Sequence, residues 1–358
     1  MEAKAEGRLA SGPLGRQIMR FSLPLMLSNV LQVLFNMSDI AVVGRFAGST
    51  ALGAVGSTAT LVALFTGLLI GMGSGINALT ARYLGADNAE ETDRTVHTAV
   101  ILSVLLGALL LTIGLLLARP MLELLHTKDE LIDGAALYLR IYFLGMPAMA
   151  LYNFGNAVLS AAGDTRRPLI YLLIAGILNV ALNLFFVIVC RMGESGVALA
   201  SILSQYLSAT LILIALLRCR EAYALRFSHL RLYGDKVRPL LSLGCSAALQ
   251  HAIFGIANLF IQAGVNSFDA VVVEGNSAAA NADSLVYDMM AAFHTACASF
   301  IGQNYGAGHR ERVKRSYLIS LAYSAVVGLT VGVALVLFGS GFLSLFTDDA
   351  AVVREGMV

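Results

Sequence analysis

Charged side chains are scarce in this sequence. They make up 13% of its 358 residues, whereas soluble globular proteins carry about 25%. That scarcity excludes an ordinary soluble enzyme. The formal net charge of +1 gives no information about partners, because in so apolar a chain the position of each charge decides what it does.

Cysteine is also rare, and no two cysteines form a C-x-x-C pair. The four that are present lie singly in or beside apolar segments, so they offer neither a zinc site nor a disulfide framework. The first twenty residues lack the apolar stretch of a secretory signal, and we expect no cleavable signal peptide. The sequence also lacks the group of aspartates near the inner membrane surface that a metal-dependent membrane transferase would need. We therefore expect no enzymatic activity.

Long apolar runs dominate what is present. Hydrophobic residues make up 58% of the chain, and residues 99–118 contain no charge at all, which is enough to span about 30 Å of hydrocarbon as a helix. Hydropathy predicts an all-α polytopic membrane protein. Its nine predicted spans are 17–44, 50–79, 95–118, 134–161, 168–190, 195–217, 238–265, 271–301 and 316–340.

The basic residues are distributed unevenly between the two sides of these spans. Eighteen of the 24 lysine and arginine residues fall on the side of the N-terminus, and six fall on the other side. The positive-inside rule then predicts a cytoplasmic N-terminus in a multi-pass protein of the cell (inner) membrane. The basic segment 218–237 lies on the same side, and its interleaved aromatic residues predict a segment on the anionic inner leaflet. Nucleic-acid binding is not needed to explain it.

The chain contains an internal repeat with an offset of about 220 residues. Gly44 and Gly264 are 220 apart, and so are Thr127 and Thr347. We expect a parallel repeat of two helical lobes around a central cavity: residues 1–217 with six helices, a link at 218–237, and residues 238–358 with three helices and the start of a fourth. We expect the complete protein to continue for about 80 residues, which would supply the missing counterparts.

Four polar residues interrupt the first apolar segment at steps of three, four and three, so they share one helical face. A carboxylate in the hydrocarbon region is costly, and this face is expected to line a transport pathway with a titrating or cation-binding acid. The alternative is that the acid is an interfacial anchor near the helix end. The four residues are Asn29, Gln32, Asn36 and Asp39.

Two further segments carry polar side chains at helical spacing. Asn179 and Asn183 lie four residues apart in the fifth predicted helix, where they can coordinate a cation, bond to Asp39, or simply join helices. In the fourth predicted helix, Tyr152 and Asn156 follow Pro147, which permits a bend.

The second half repeats the polar stripe less clearly. His251 and Asn258 are comparable with Asn29 and Asn36 at an offset of 222, and Gln262 continues the stripe. The next helix carries two acids deep in the span. These residues predict a second cavity without identifying one titrating group: His251, Asn258, Gln262, Asp283 and Asp288.

Four strings, taken in order, resemble the multidrug and toxic compound extrusion (MATE) family: LFNMSDIAVVGRFAG at 34–48, GDTRRP at 163–168, LNVALNLFFV at 178–187 and GQNYGAG at 302–308. The resemblance implies twelve helices in two lobes and exchange of H⁺ or Na⁺ for organic, often cationic or amphipathic, compounds by alternating access. It implies that Asp39, Asn179 and Asn183 belong to a coupling-ion site, where they are possible ligands of Na⁺. We expect Asn36, on the same helical face as Asp39, to join this site.

Many relatives have an acid where this chain has Asn183, so Asp39 is the main acid of this expected site. We expect no cofactor besides the coupling ion, and a monomer whose partners are small organic molecules and membrane lipids. The alternative function is a lipid-linked glycan flippase of similar architecture. That activity predicts a cationic cavity, whereas the deep charges here are acidic.

Overall fold

The computed structural model describes residues 9–265, 268, 270–343, 353–354 and 356–357, and within them the chain is helical without any strand. Seven helices form the first half: α1 Leu14–Phe46, α2 Ser49–Gly85, α3 Ala89–Leu124, α4 Asp129–Leu144, α5 Met146–Ala161, α6 Arg166–Leu184 and α7 Gly193–Arg218. Three helices form the second half: α8 Gly234–Val265, α9 Ala270–Gly306 and α10 Arg310–Leu343. A π-helical turn, Phe185–Val189, continues α6, and a short 3₁₀ turn, Phe227–His229, lies between the halves.

Eight of these helices are long and apolar enough to cross a membrane, and α4 with α5 makes a ninth, broken span. The two pieces of the broken span are inclined by 46°. The break falls at Gly145, and Pro147 lies in the first turn of α5, where a missing backbone N–H costs little. The prediction of an all-α membrane protein is confirmed, and the described residues hold up to nine spans when the bent pair is counted as one. The bend lies where the proline permits it.

The core of the first half is built by α2, α3, α4, α5 and α7, which contact one another closely. Phe143 and Phe154 are fully buried there. Gly114 of α3 lies directly against the Phe143 ring, which leaves no room for a Cβ atom. Outside this core, α3 exposes large leucines such as Leu105 and Leu116. This distribution is typical of a bundle whose outer surface faces lipid.

The three helices of the second half begin at the same spacing along the chain as the first three helices of the first half. The helices α1, α2 and α3 begin at residues 14, 49 and 89, and α8, α9 and α10 begin at residues 234, 270 and 310. The offsets of 220 and 221 residues agree with the repeat found in the sequence. In space, α8 packs along α2, and α9 contacts α1, α2 and α10. We propose that these are two lobes that meet through α1 and α2 on one side and α8 and α9 on the other.

The two halves are in closest contact at one end of the bundle. We call this the basic end, because it holds the basic segments 9–20, 82–94, 166–167, 218–238 and 310–315. Here the last third of α2 packs against α8 and α9 along a seam of glycines. A Cβ atom on Gly75 would lie 2.5 Å from the Gly244 nitrogen, and Gly302 packs against Ala81. Because glycine has no side chain, it allows two helix backbones to approach this closely.

The segment between α7 and α8, residues 219–233, is called the link below. It folds back onto the first turns of α3 at the basic end. The Tyr233 amide donates to Thr98 Oγ1 at 3.2 Å, and the Arg94 guanidinium lies over the Tyr233 ring. Phe227 is 71% exposed and Leu232 is 47% exposed. The placement of these exposed side chains in the inner leaflet stays a prediction.

Candidate cation-binding cluster and interface pocket

The acid of the first helix lies where α1 meets α6 and α7. Gly176 of α6 packs directly against the Phe35 ring of α1, so the two helices approach closely there. Phe35 is one turn before Asp39, and Gly176 is two turns before Asn183. The same close packing therefore carries the two polar side chains into contact.

Asp39 is held by side chains from two other helices. Asn183 donates from Nδ2 to Asp39 Oδ1, and Ser201 of α7 donates from Oγ to Asp39 Oδ2 at 3.3 Å. Asn179 completes the group: its Oδ1 accepts from Asn183 Nδ2 at 3.2 Å, and its Nδ2 donates to Ser201 Oγ at 3.4 Å. We call these four residues the Asp39 cluster. Asn183 is 0% exposed and Asn179 is 6% exposed, so the cluster is closed off on the α6 side.

The cluster leaves one buried oxygen free to accept a ligand. Asn183 Oδ1 has no hydrogen-bond partner among the described residues, although it is buried. An unsatisfied buried polar atom costs about 1–3 kcal/mol unless something binds to it. Carboxylate, amide and hydroxyl oxygens are the ligand atoms that hard cations prefer. A carboxylate also binds a proton. The residues therefore suit either H⁺ or Na⁺.

Sequence reasoning missed two features of this cluster. Ser201 begins a run of buried serines in α7 with Ser204 and Ser208, at steps of three and four. That spacing was the available signal for a polar helix face. The second feature is the π-helical turn that starts two residues after Asn183. Such turns occur frequently at functional sites, because they reorient the side chains beside them.

The other polar residues of α1 divide into two that are exposed and one that contacts α9. Gln32 and Asn36 are exposed, and each follows an exposed leucine by nine residues, Leu23 and Leu27 respectively. At about 100° per residue, nine residues place the pair on opposite helix faces. The two polar side chains therefore point away from the leucine face of α1. Asn29, nearer the basic end, donates from Nδ2 to the Asp288 carbonyl at 2.6 Å and so joins α1 to α9.

A second polar region is a pocket between the halves, which we call the interface pocket. It is lined by α2, α5 and α9, with one titratable side chain, His294, among its described lining residues. Asn156 Oδ1 and Ser160 Oγ are buried without a hydrogen-bond partner in the described part of the chain. The remaining polar lining residues are Ser74, Asn77, Asn153 and Thr295. Tyr152 is not among the lining residues; its hydroxyl lies 3.4 Å from the Pro168 carbonyl oxygen.

The predicted residues of the second half are more dispersed. His251 is half-buried, and its Cβ lies 3.3 Å from the position that a Cβ of Gly67 would take. Asn258 and Asp283 are exposed, and Asp288 is half-buried. The side chain of Gln262 lies outside the described residues. The structure therefore does not gather these residues into a cluster like that of Asp39.

Comparison with known proteins places the chain among transporters. The MatE family model matches residues 24–185 and 246–357. The probable multidrug resistance protein YpnP of Bacillus subtilis is 31% identical over 342 residues, which is 95% of this chain and 76% of the relative. The FAD transporter of Shewanella oneidensis is 27% identical over 97% of this chain and 77% of its own length. In fold, the chain is similar to a solved MATE family transporter of the MOP superfamily in an outward-facing conformation, with a TM-score of 0.91, 24% identity and coverage of 99% and 79% of the two chains.

Proposed function

The chain belongs to the MatE family of membrane transporters, and on that premise we propose that it exports organic, cationic or amphipathic compounds in exchange for H⁺ or Na⁺. The observation that carries this proposal is the Asp39 cluster. It joins a carboxylate to amide and hydroxyl groups of two other helices, and it leaves the buried Asn183 Oδ1 unsatisfied. Such a group can bind and release a small cation without a cofactor.

Coupling requires that the cation and the substrate influence each other. In the proposed cycle, Asp39 binds the cation while the cavity is open to the outside, and its neutralisation weakens the hold on a cationic substrate. The gradient of the cation then supplies the free energy for export. Any shift in the conformational equilibrium is limited by the difference in ligand affinity between the two states.

The orientation follows from the charges. We place the basic end in the cytoplasm, because 18 of the 24 lysine and arginine residues lie on that side. The protein is then a multi-pass protein of the cell membrane with a cytoplasmic N-terminus, and we propose that it works as a monomer.

The conformation supports alternating access. Along α2, a Cβ on Gly75 would lie 2.5 Å from Gly244 and one on Gly71 would lie 2.4 Å from Ala248. Farther from the basic end the gap to α8 widens, and a Cβ on Gly67 would lie 3.3 Å from His251. Nearer the opposite end, a Cβ on Gly255 would lie 4.0 Å from Leu64. Across the seam, Asn77 Nδ2 donates to Ser299 Oγ at 2.9 Å. We interpret this arrangement as a state that is closed to the cytoplasm, and rocking of the halves would have to separate the seam.

Transport in proteoliposomes tests the proposal directly. The purified protein is assayed with a cationic dye, a neutral amphipathic compound and FAD, with pH and Na⁺ gradients imposed separately. FAD is included because one relative is named as its transporter. We expect substrate flux to accelerate with one of the two gradients and to drive cation flux in the opposite direction. Substrate movement that ignores both gradients would contradict the proposed coupling.

A pair of glycine variants tests the rocking motion. Gly71 packs against the backbone of Ala248 at the seam, whereas the Cβ position of Gly56 on the same helix meets nothing within 4 Å. Overpacking costs about 1–3 kcal/mol, so Gly71→Ala should destabilise the closed seam and Gly56→Ala should not. The readout is the labelling rate of a Ser74→Cys reporter by an impermeant maleimide from the basic end, with the four native cysteines replaced. Equal rates in the two variants would contradict a closed seam.

A further inference from the structure

A cluster of two histidines and an aspartate lies at the basic end and shares no residue with the Asp39 cluster. Asp93 and His97 are one turn apart near the start of α3, and His229 belongs to the 3₁₀ turn of the link. Their candidate ligand atoms all lie within 4.8 Å of one another. Two of the side chains come from the first half and one from the link, so the cluster forms only when the link is folded against α3.

We propose that Asp93, His97 and His229 bind a divalent transition-metal ion of the zinc class, which fastens the link to α3.

The distances between the ligand atoms fit a small tetrahedral ion. His229 Nδ1 lies 3.1 Å from each Asp93 carboxylate oxygen, and His97 Nδ1 lies 3.5 Å from Asp93 Oδ1. Bonds of about 2.0–2.2 Å to nitrogen and oxygen in a tetrahedron place neighbouring ligand atoms about 3.3 Å apart. The separations of both imidazoles from Asp93 therefore match the edge length that zinc requires, and the two imidazoles offer ligand nitrogens within 4.8 Å of each other.

The second nitrogen of His97 has the partner that a metal-bound histidine needs. His97 Nε2 accepts from the Arg226 backbone N–H at 2.9 Å and lies 3.0 Å from the Arg226 carbonyl oxygen. An ion bound at Nδ1 would move the ring proton to Nε2, which would then donate to that carbonyl instead of accepting from the Arg226 N–H. Metal-bound histidines usually donate their other ring N–H in this way, which fixes the tautomer. Without an ion, Nδ1–H can instead donate to the Asp93 backbone carbonyl at 2.7 Å.

The ligand atoms select the kind of ion, and the exposure of two side chains gives the ion access to the site. Two imidazoles and one carboxylate favour zinc and its neighbours over Mg²⁺ or Ca²⁺, which prefer oxygen ligands. The His97 side chain is fully buried, whereas the side chains of Asp93 and His229 are 25% and 41% exposed. An ion can therefore enter from the solvent side, where a water molecule supplies the fourth ligand.

The position of the site gives the ion a mechanical role. The link runs from the end of α7 to the start of α8, so it connects the two halves. The link is already fixed by the bond of Tyr233 to Thr98, and Lys236 of α8 pairs with Glu91 of α3. An ion at His229 would add a further attachment of the link to α3, four residues before Tyr233. The bound metal would thus restrict how far α8 can move away from α3.

Zinc titration of the purified full chain tests the site. Metal-free protein is titrated with Zn²⁺ in competition with a chromophoric chelator, and the same titration is run on His229→Ala and on the control His309→Ala, which removes an exposed histidine elsewhere at the basic end. We expect wild type and His309→Ala to bind with equal affinity and His229→Ala to bind at least about tenfold more weakly. Excess Mg²⁺ should not compete.

A second measurement reports where the ion acts. Arg226 and Arg231 are exposed in the link, and bound Zn²⁺ should slow tryptic cleavage after them in wild type but not in His229→Ala. Circular dichroism without metal verifies that both variants are folded. Zinc affinity that is unchanged in His229→Ala would overturn the proposal. Protection of the link from trypsin that changes with pH but not with zinc would also overturn it. That result would show that the three side chains form an ion pair controlled by protonation.

Discussion

Asp39 and Asp288 are acids within spans of the first and second half, and among the described residues they differ in how far neighbouring side chains enclose them. Asp39 of the first half accepts hydrogen bonds from Asn183 of α6 and Ser201 of α7, and Asn179 bonds to both of these partners. Asp288 of the second half contributes its backbone carbonyl to Asn29, while its side chain is half-buried. The proposed cation site is therefore Asp39 and not Asp288, because neighbouring helices supply fixed partners to Asp39. Preorganised partners lower the cost of ordering a site around its ligand.

The source of this difference is the set of neighbouring helices. In the first half, α6 and α7 lie beside α1 and present Asn183 and Ser201. Within the described part of the second half, α9 contacts α10 and the first-half helices α1 and α2. The comparison therefore predicts that substitutions will impair cation-driven export most at Asp39, less at the residues that donate hydrogen bonds to it, and least among the second-half polar residues.

The largest effect is expected from a pair of matched carboxylate-to-amide substitutions. Asp39→Asn removes the negative charge and keeps the size of the side chain, so gradient-driven export should fall to the level of empty vesicles. Asp288→Asn makes the same chemical change in a half-buried site and should retain most of the activity. The measurement is initial export rate at matched protein content, with the elution profile of each variant as a control for folding. Equal losses in the two variants would break the comparison between the halves.

An intermediate effect is expected from the buried amide beside Asp39. Asn183→Leu keeps a similar volume but removes both the donor to Asp39 and the orphaned Oδ1. Lost hydrogen bonds to a charged group are worth about 1.5–3 kcal/mol, so the apparent affinity for the coupling cation should fall roughly tenfold or more. The matched change Asn258→Leu lies at an exposed position of α8 and should leave that affinity unchanged. The readout is export rate against cation concentration, and a shift in Asn258→Leu equal to that in Asn183→Leu would contradict the ranking.

The sequence predicted the helices well because the membrane imposes one strong requirement. Backbone groups in hydrocarbon must bond within the segment, so an apolar run such as 17–44 predicts a helix, which the structure extends to Leu14–Phe46. The pairing of Asn183 with Asp39 was among the predicted alternatives, because spacing placed both on polar faces. Its partner Ser201 was missed, since a serine in a helix usually bonds to its own backbone. The contact of His229 with Asp93 joins residues 136 positions apart, and no local pattern indicates such a distance.

The smallest effect, and the sharpest test of the cluster, is expected from two serines on α7. Ser201 donates to Asp39 Oδ2 at 3.3 Å, whereas Ser208 donates to the Gln205 carbonyl of its own helix at 2.9 Å. A single hydrogen bond contributes about 0.5–1.5 kcal/mol, so Ser201→Ala should weaken the apparent affinity for the coupling cation by roughly twofold to tenfold. Ser208→Ala removes an equally buried hydroxyl but no bond to the acid, so the cation dependence should not change. If both variants shifted the cation dependence equally, the effect would come from α7 packing, and Ser201 would have no part in holding the cation.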